Sequence, residues 1–276
     1  MVPISCIQSQ ARAQQTLDVL IVHGELIDGT GSAPRKADVG IQGDRITFIG
    51  DSSKTKLGTE RVIDATGLVV APGFIDPHTH TADDLSTPPR NSNEPYLMQG
   101  VTTVITGNDG SSPLPIARAL GKWEQQGIGT NAALLVGMCS VRRQVMGMAD
   151  TAPSDAQLAE MKSLVARGMD DGAFGMSAGL FYAPCSFAKT EEVIELAKVA
   201  AAKHGYYDTH MRDESDYSIG LLGSIRETIR IGQEAKLPVH ISHIKALGTG
   251  VWGQSTEAIR LIRQAQAEGI QVTADQ

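Results

Sequence analysis

Two histidines one residue apart, His78 and His80, are the residues of this 276-residue chain whose type and spacing point most directly to chemistry. They follow an apolar run that is broken by Pro72 and Gly73. Residues i and i+2 of a strand face the same side, so the two imidazoles can aim at one point. Neutral imidazole is a common ligand of zinc. The pair therefore predicts a metal site, with polar surface as the alternative for an isolated motif of this kind.

Further ligating side chains follow other apolar segments of the chain. Asp109, His210 and His243 each stand at the end of a predicted strand. His240 is an odd number of residues from His243, so strand alternation puts the two on opposite faces. We therefore assign His243 to the site and His240 to packing. Asp109 has a second interpretation, as a turn residue whose carboxylate bonds the nearby backbone.

The elements that must position these side chains are strands alternating with helices, separated by roughly 30 to 40 residues, the size of a β/α unit. The predicted strands cover residues 70–75, 102–106, 131–136, 172–177, 205–210, 238–243 and 271–274. This pattern predicts an α/β fold, a (β/α)8 TIM-type metallo-hydrolase barrel whose last unit is missing from this chain. A doubly wound sheet is the alternative, but the glycine-rich phosphate turn that it would want is absent from the sequence. Barrel active sites lie at the carboxyl ends of the strands, where the histidines stand.

The chain before the barrel is strand-like and rich in turns. Residues 17–68 predict a small β-sandwich module, and Gly43-Asp44 between two apolar runs predicts a hairpin. Residues 1–16 are expected to be a disordered leader, and residues 69–276 form the barrel domain. Among the helices, Ser154 with Gln157 predicts a capping box, and Thr190 and Ser255 are expected to cap two others.

Composition limits the kind of protein. The net charge of −7 argues against a nucleic-acid binder. No apolar run is long enough to cross a bilayer, so no membrane partner is expected. The three cysteines, an odd number without paired spacing, predict neither a disulfide framework nor a zinc knuckle. We expect a cytoplasmic protein, with the periplasm as the alternative if the leader is the end of a signal peptide. The oligomeric state is not predicted.

Several segments together resemble the amidohydrolase superfamily and, within it, the N-acyl-D-amino-acid deacylases. The superfamily resemblance rests on residues 72–76 with the His-x-His pair, 100–104, 209–212 and 242–245. Residues 179–182 and 251–254 are more specific to the deacylase branch. Hydantoinase- and dihydroorotase-like members carry a lysine after strand four, and this chain has none there, which counts against cyclic amides.

The resemblance implies roles for the matching positions. His78 and His80 would be the more exposed metal pair, and His210 and His243 would hold the tighter zinc. Tyr182 and Lys245 would contact the substrate carboxylate; a packing residue and a solvated charge are the alternatives. The implied cofactor is one tightly bound Zn²⁺, with a second ion, Mn²⁺ or another divalent metal left open.

Two departures from the family pattern matter. Asp109 stands where the family usually has a cysteine ligand, and a carboxylate favours manganese or magnesium more than a thiolate does. The family's general base is an aspartate after strand eight, which is expected beyond Gln276. We therefore expect the sequence to be part of a longer protein, because a barrel one strand short would expose two open edges.

The predicted function is metal-dependent hydrolysis of a linear amide, releasing a carboxylate and a free D-amino acid from a small N-acyl amino acid. The alternatives are another amidohydrolase, such as a dipeptidase or an imidazolonepropionase-like enzyme, and an inactive metal-binding barrel fragment.

Overall fold

The structure, a computed structural model, describes residues 16–276. The predicted leader lies outside the described residues except for Thr16, which begins the first strand. The described chain divides into two units, residues 16–73 and residues 74–276.

The first unit consists of two small sheets. Their strands are β1 (Thr16–Val22), β2 (Glu25–Leu26), β3 (Arg35–Lys36), β4 (Asp38–Gln42), β5 (Arg45–Gly50), β6 (Gly58–Asp64) and β7 (Val69–Val70). One sheet has the strand order β5-β4-β1-β6 and the other the order β3-β2-β7. Leu17, Leu20 and Val22 of β1 form the small core of this unit. The predicted hairpin is confirmed, because Gln42 pairs with Arg45 across a two-residue turn.

The second unit is built on a seven-stranded parallel sheet. Its strands are β8 (Phe74–Thr79), β9 (Val101–Thr106), β10 (Asn131–Gly137), β11 (Gly175–Gly179), β12 (Tyr206–His210), β13 (Val239–Ile241) and β14 (Val272–Ala274). They lie side by side in chain order, from β8 at one edge to β14 at the other. A doubly wound sheet would reverse its order at a switch point, so this order confirms the barrel-type fold and excludes that alternative.

Helices connect successive strands. They are α1 (Ala82–Leu85), α2 (Glu94–Leu97), α3 (Ile116–Gln126), α4 (Met138–Met146), α5 (Asp155–Asp170), α6 (Thr190–Ala201), α7 (Leu221–Ala235) and α8 (Ser255–Ala267). Apolar residues of strands β9–β14 and helices α3–α8 form a continuous core. Within residues 16–276, none of the helices has the length and apolar composition needed to cross a bilayer.

Two details of the sequence prediction are wrong in position. The first barrel strand begins at Phe74 rather than at Val70, because Pro72-Gly73 separates it from β7. Strand four likewise lies later than predicted, at Gly175–Gly179. Both strands therefore end later in the sequence than predicted, at Thr79 and at Gly179.

Of the three helix caps predicted from the sequence, one is confirmed. Ser154 and Gln157 form the predicted capping box of α5. Thr190 is instead the first residue of α6, and its hydroxyl donates to Glu227 at 2.7 Å. Ser255 is the first residue of α8, after Gln254 at the cap position.

The cysteine prediction is wrong. Cys139, at the start of α4, and Cys185, in the segment after β11, form a disulfide across 46 residues of sequence. Their Cα atoms are 5.2 Å apart. The two positions follow the adjacent parallel strands β10 and β11, so the sheet brings together residues that no local spacing would pair.

Candidate metal centre

The carboxyl ends of four strands bring the predicted ligands to one place in the second unit. His78 is near the end of β8 and His80 just follows that strand, while His210 ends β12. Asp109 lies in the turn after β9, and His243 follows β13. Strand alternation explains which way the side chains of β12 point. Tyr207 belongs to the apolar core, and His210, an odd number of residues further along, faces the opposite side.

Asp109 is the centre of this cluster. Its Oδ1 lies 3.8 Å from His78 Nε2 and 3.6 Å from His243 Nε2. Its Oδ2 lies 3.4 Å from His80 Nε2 and 4.0 Å from His210 Nδ1. Two groups of ligating atoms, one with the β8 histidines and one with the later pair, share this carboxylate, and within each group the atoms lie within 4.8 Å of one another.

The backbone is specialised at two of these positions. Asp109 has φ +55° and His243 has φ +35°, in the left-handed region that few residues other than glycine adopt. Aspartate tolerates this conformation better than most residues. The next residue, Gly110, also has positive φ, and a Cβ there would lie 2.2 Å from the Sγ atom of Cys139. The turn that presents Asp109 thus depends on a glycine packed against the disulfide.

A buried polar atom without a hydrogen-bond partner shows that these residues fit a metal ion. Asp109 Oδ1, which faces His78 Nε2 and His243 Nε2, is buried and unpartnered among the described residues. A buried carboxylate oxygen is costly unless it is paired, hydrogen-bonded or bound to a metal. Carboxylate oxygen and imidazole nitrogen are donors that zinc accepts. The hydrogen bonds within residues 16–276 include none from a backbone amide to the Asp109 carboxylate, which does not favour the turn-residue interpretation.

The charge states differ around the cluster. Burial raises the pKa of Asp109, but the imidazoles of His243, His80 and His78 outweigh it and hold that pKa well below its ordinary value. Burial lowers the pKa of His210 to about 4, against the attraction of Glu214 and Asp109, so this imidazole is neutral at neutral pH. Neutral imidazole is the form that binds metals.

His243 differs from His210 in its surroundings. The neighbouring carboxylates of Asp109 and Glu214 raise the pKa of His243 to about 10, against the effect of burial. A metal ligand must be deprotonated, so a divalent cation bound here would replace this proton and its charge.

The two predicted substrate contacts lie beside the later histidine pair. The Tyr182 hydroxyl is 3.4 Å from His210 Nδ1, and the two rings are 4.6 Å apart between centroids. The Lys245 ammonium is 2.8 Å from Glu214 and 2.8 Å from His243 Nδ1. Tyr182 is 46% exposed, so it can reach a ligand in the mouth of the site. The roles of both residues stay predictions.

Sequence reasoning missed three carboxylates around the site, of which Glu214 and Asp208 are buried and Asp275 is half-buried. Glu214 contacts His243 and Lys245. Asp208 accepts hydrogen bonds from Asn108 and Ser242, and burial raises its pKa to about 6. Asp275 accepts from the backbone amide of His243 and bonds His240. Asp208 precedes His210 by two residues on the same strand, so strand alternation could have placed it on the face of the site. For Glu214 the sequence carried no signal beyond its position four residues after His210.

His240 is held by packing partners, as predicted, but strand alternation is not the reason: it pairs in register with Asp208, two residues before His210, and β13 ends at Ile241, before His243. It is 8% exposed, its Nδ1 lies 2.8 Å from Thr273 Oγ1, and its Nε2 lies 2.8 Å from Asp275 Oδ2. Both ring nitrogens are therefore occupied by partners of the neighbouring strand region rather than by the Asp109 cluster.

Known proteins match both the sequence and the fold. A model of the amidohydrolase family matches residues 61–269. The D-aminoacylase of Alcaligenes xylosoxydans xylosoxydans is 41% identical over 276 aligned residues, which cover 92% of this chain and 56% of that protein. The chain thus spans just over half the length of this curated relative.

Solved structures match in fold as well. A crystal structure of D-aminoacylase superposes with a TM-score of 0.87 at 36% identity, covering 94% of this chain and 58% of that one. The N-acyl-D-glutamate deacylase of Bordetella bronchiseptica, complexed with zinc and a phosphonate mimic of the tetrahedral intermediate, superposes with a TM-score of 0.87 at 31% identity, covering 95% and 58%. The family match over most of the chain and the identity to D-aminoacylase show that this chain belongs to the amidohydrolase family.

Proposed function

We propose that this protein is a metal-dependent hydrolase that removes the acyl group from N-acyl-D-amino acids. The observation that carries the proposal is the convergence of His78, His80, His210 and His243 on the single carboxylate of Asp109. The resemblance to D-aminoacylase and N-acyl-D-glutamate deacylase supports the choice of a linear amide as substrate.

The proposed ligands divide into two sets that share Asp109. His210 and His243 would hold the tighter zinc with Asp109, and His78 and His80 would offer a second position. A bound zinc ion supplies Lewis acidity, which polarises a carbonyl group and lowers the pKa of a water molecule toward neutrality. Asp109 in place of a thiolate makes Mn²⁺ a realistic alternative metal.

The remaining residues would orient the substrate. Tyr182 is half-exposed beside His210, and Lys245 is 44% exposed beside His243, so a substrate carboxylate can reach both. In the overall reaction water adds to the acyl carbon, the carbon–nitrogen bond breaks, and the products are a carboxylate and a free amine. We assign the proton transfer between water and leaving nitrogen to no residue within 16–276.

The chain lacks a feature of the branches that act on cyclic amides. Strand β11 ends at Gly179, and residues 175–179 contain no lysine. This absence supports linear over cyclic substrates, on the resemblance described above.

Turnover of matched substrates tests the proposal. The purified protein, loaded with zinc, is assayed for amine release from N-acetyl-D- and N-acetyl-L-amino acids with apolar and acidic side chains, a dipeptide and a hydantoin. We expect hydrolysis of linear D-substrates. Hydrolysis of only L- or only cyclic substrates would overturn the proposal. A protein that binds zinc fully and hydrolyses none of them would favour an inactive metal-binding barrel.

For the compartment, we propose the periplasm or another oxidising environment instead of the cytoplasm. The support is the Cys139–Cys185 disulfide, because disulfides are rare in reducing cytosol. Thiol alkylation in intact cells, quenched in acid before lysis, tests this: both cysteines should resist alkylation until reductant is added, and two free thiols would contradict it.

A further inference from the structure

Glu214 is a buried carboxylate on the outer side of the metal cluster. It is 4% exposed and lies in the segment after β12. Its Oε1 is 3.1 Å from His243 Nδ1, and its Oε2 is 3.8 Å from His210 Nε2. It also forms an ion pair of 2.8 Å with the ammonium of Lys245.

The two later histidines lie between this carboxylate and Asp109. His210 turns Nδ1 toward Asp109 and Nε2 toward Glu214. His243 does the reverse, turning Nε2 toward Asp109 and Nδ1 toward Glu214. The two inner nitrogens are 2.9 Å from each other. Each ring therefore has one nitrogen toward the metal site and the other toward an outer carboxylate.

We propose that Glu214 is a positioning residue that holds His243, and more weakly His210, with the inner nitrogen free to bind the metal. The proposal rests on the proposed metal centre. A carboxylate can only accept hydrogen bonds, so Glu214 makes the outer nitrogen of His243 a donor and leaves the lone pair on Nε2. Metal-binding histidines are generally oriented in this way by an outer hydrogen-bond acceptor, whose loss weakens metal binding.

Lys245 has a defined part in this arrangement. A buried anion is costly unless it is paired, and the Lys245 ammonium supplies the opposite charge. Its Nζ also lies 2.8 Å from His243 Nδ1, so lysine and glutamate compete for that nitrogen. Lys245 has two other acceptors, Glu214 and the carbonyl oxygen of His243 at 3.1 Å, and does not need the ring. We assign Nδ1 to Glu214, at 3.1 Å, and leave the nearer Lys245 ammonium to those two acceptors.

Zinc affinity separates this role from a general effect on stability. The dissociation constant is measured by competition with a chelator of known affinity for the wild type, Glu214→Gln, Lys245→Met and Glu192→Gln. Glu192 is a matched control, since it is 6% exposed and paired with Arg142 at 3.0 Å within the helical layer. We expect Glu214→Gln to weaken zinc binding by about 10- to 100-fold. Lys245→Met should not weaken it, and Glu192→Gln should change unfolding but not zinc affinity.

Three results would overturn the proposal. Zinc affinity of Glu214→Gln within about threefold of wild type removes the positioning role. An equal loss in Glu192→Gln makes the effect a general one. A larger loss in Lys245→Met than in Glu214→Gln makes the lysine, and not the glutamate, the partner of His243.

A measurement on the unaltered protein covers the case in which Glu214→Gln does not fold. Nitrogen-15 spectra of histidine-labelled, zinc-loaded protein, assigned with His243→Gln, should show His243 protonated at Nδ1 and metal-bound at Nε2. Zinc on Nδ1 would contradict the proposal. A wild type that binds zinc but hydrolyses no N-acyl-D-amino acid overturns the proposed function and leaves Glu214 in place; a wild type that binds no metal overturns both.

Discussion

Asp109 Oδ1 lies 3.6 Å from His243 Nε2, although the two residues follow strands β9 and β13, which are not neighbours in the sheet. Four imidazoles surround this one carboxylate, and its Oδ1 has no hydrogen-bond partner among the described residues. The position that departs from the family's cysteine is therefore at the centre of the ligand cluster rather than at its edge.

Asp109→Asn should weaken zinc binding by more than tenfold, about 1.4 kcal/mol or more. The amide keeps the size of the side chain and its tolerance of positive φ but removes the negative charge. Chelator competition measures the affinity. Asp170→Asn is the control, because Asp170 is 59% exposed and pairs with Lys203 on the surface. Unchanged affinity in Asp109→Asn would mean that this carboxylate is not a ligand.

His243→Ala should reduce turnover of the best substrate by far more than tenfold, because an imidazole that binds the metal cannot be replaced by a methyl group. His204→Asn is the control: His204 lies in the turn after α6 with φ +60°, a conformation that asparagine accepts, and has no part in the cluster. Steady-state kinetics at saturating zinc give the ratio. A loss below about tenfold in His243→Ala would be hard to reconcile with a metal ligand.

Reduction of the Cys139–Cys185 disulfide should lower the free energy of unfolding by about 2–4 kcal/mol, the usual range for cross-links that close long loops. The bond closes a loop of 46 residues and packs against the turn that carries Asp109. Urea unfolding with and without reductant measures the effect. The Cys139→Ala, Cys185→Ala double variant should lose similar stability and no longer respond to reductant; a continued response would place the sensitivity elsewhere.

Asp213 should contribute stability at neutral pH that disappears in acid. It is fully buried and accepts hydrogen bonds from the amides of Ser215, Ser218 and Gly220. Burial raises its pKa, but these hydrogen bonds outweigh burial and hold the pKa below its ordinary value. Because the folded pKa is the lower one, this stability is present above the unfolded pKa and is lost as pH falls through the folded pKa.

Asp213→Asn tests that assignment. The variant should lose about 1–3 kcal/mol at pH 6, since the amide leaves buried donors less well satisfied. The difference from wild type should shrink toward pH 2 in urea unfolding curves. A difference that stays constant with pH would show that the charge of Asp213 is not involved.

The order of the strands and the identity of the predicted ligands followed from the sequence, because both depend on local patterns. Apolar runs separated by helical segments predict parallel β/α units. The residues after each run then lie at the carboxyl ends of the strands, where barrel active sites are found. His78, His80, His210 and His243 were selected in this way. Alternation also served to set His240 apart from His243, but β13 ends at Ile241, so the turn after the strand, and not alternation, orients His243. Strand boundaries were less accurate, since the break at Pro72-Gly73 assigns Val70 to a different sheet.

Tertiary structure alone decided what surrounds those ligands. The Cys139–Cys185 pair and the contact of Glu214 with His243 join residues far apart in sequence, through the adjacency of neighbouring units. In the turn after β9, Asp109 has a positive φ, and this backbone conformation directs its carboxylate toward the four imidazole rings. An aspartate can adopt a positive φ, but its presence in the sequence does not predict one. Such contacts form between loops that become neighbours only when the sheet has formed. The apolar periodicity of a single segment therefore does not predict them.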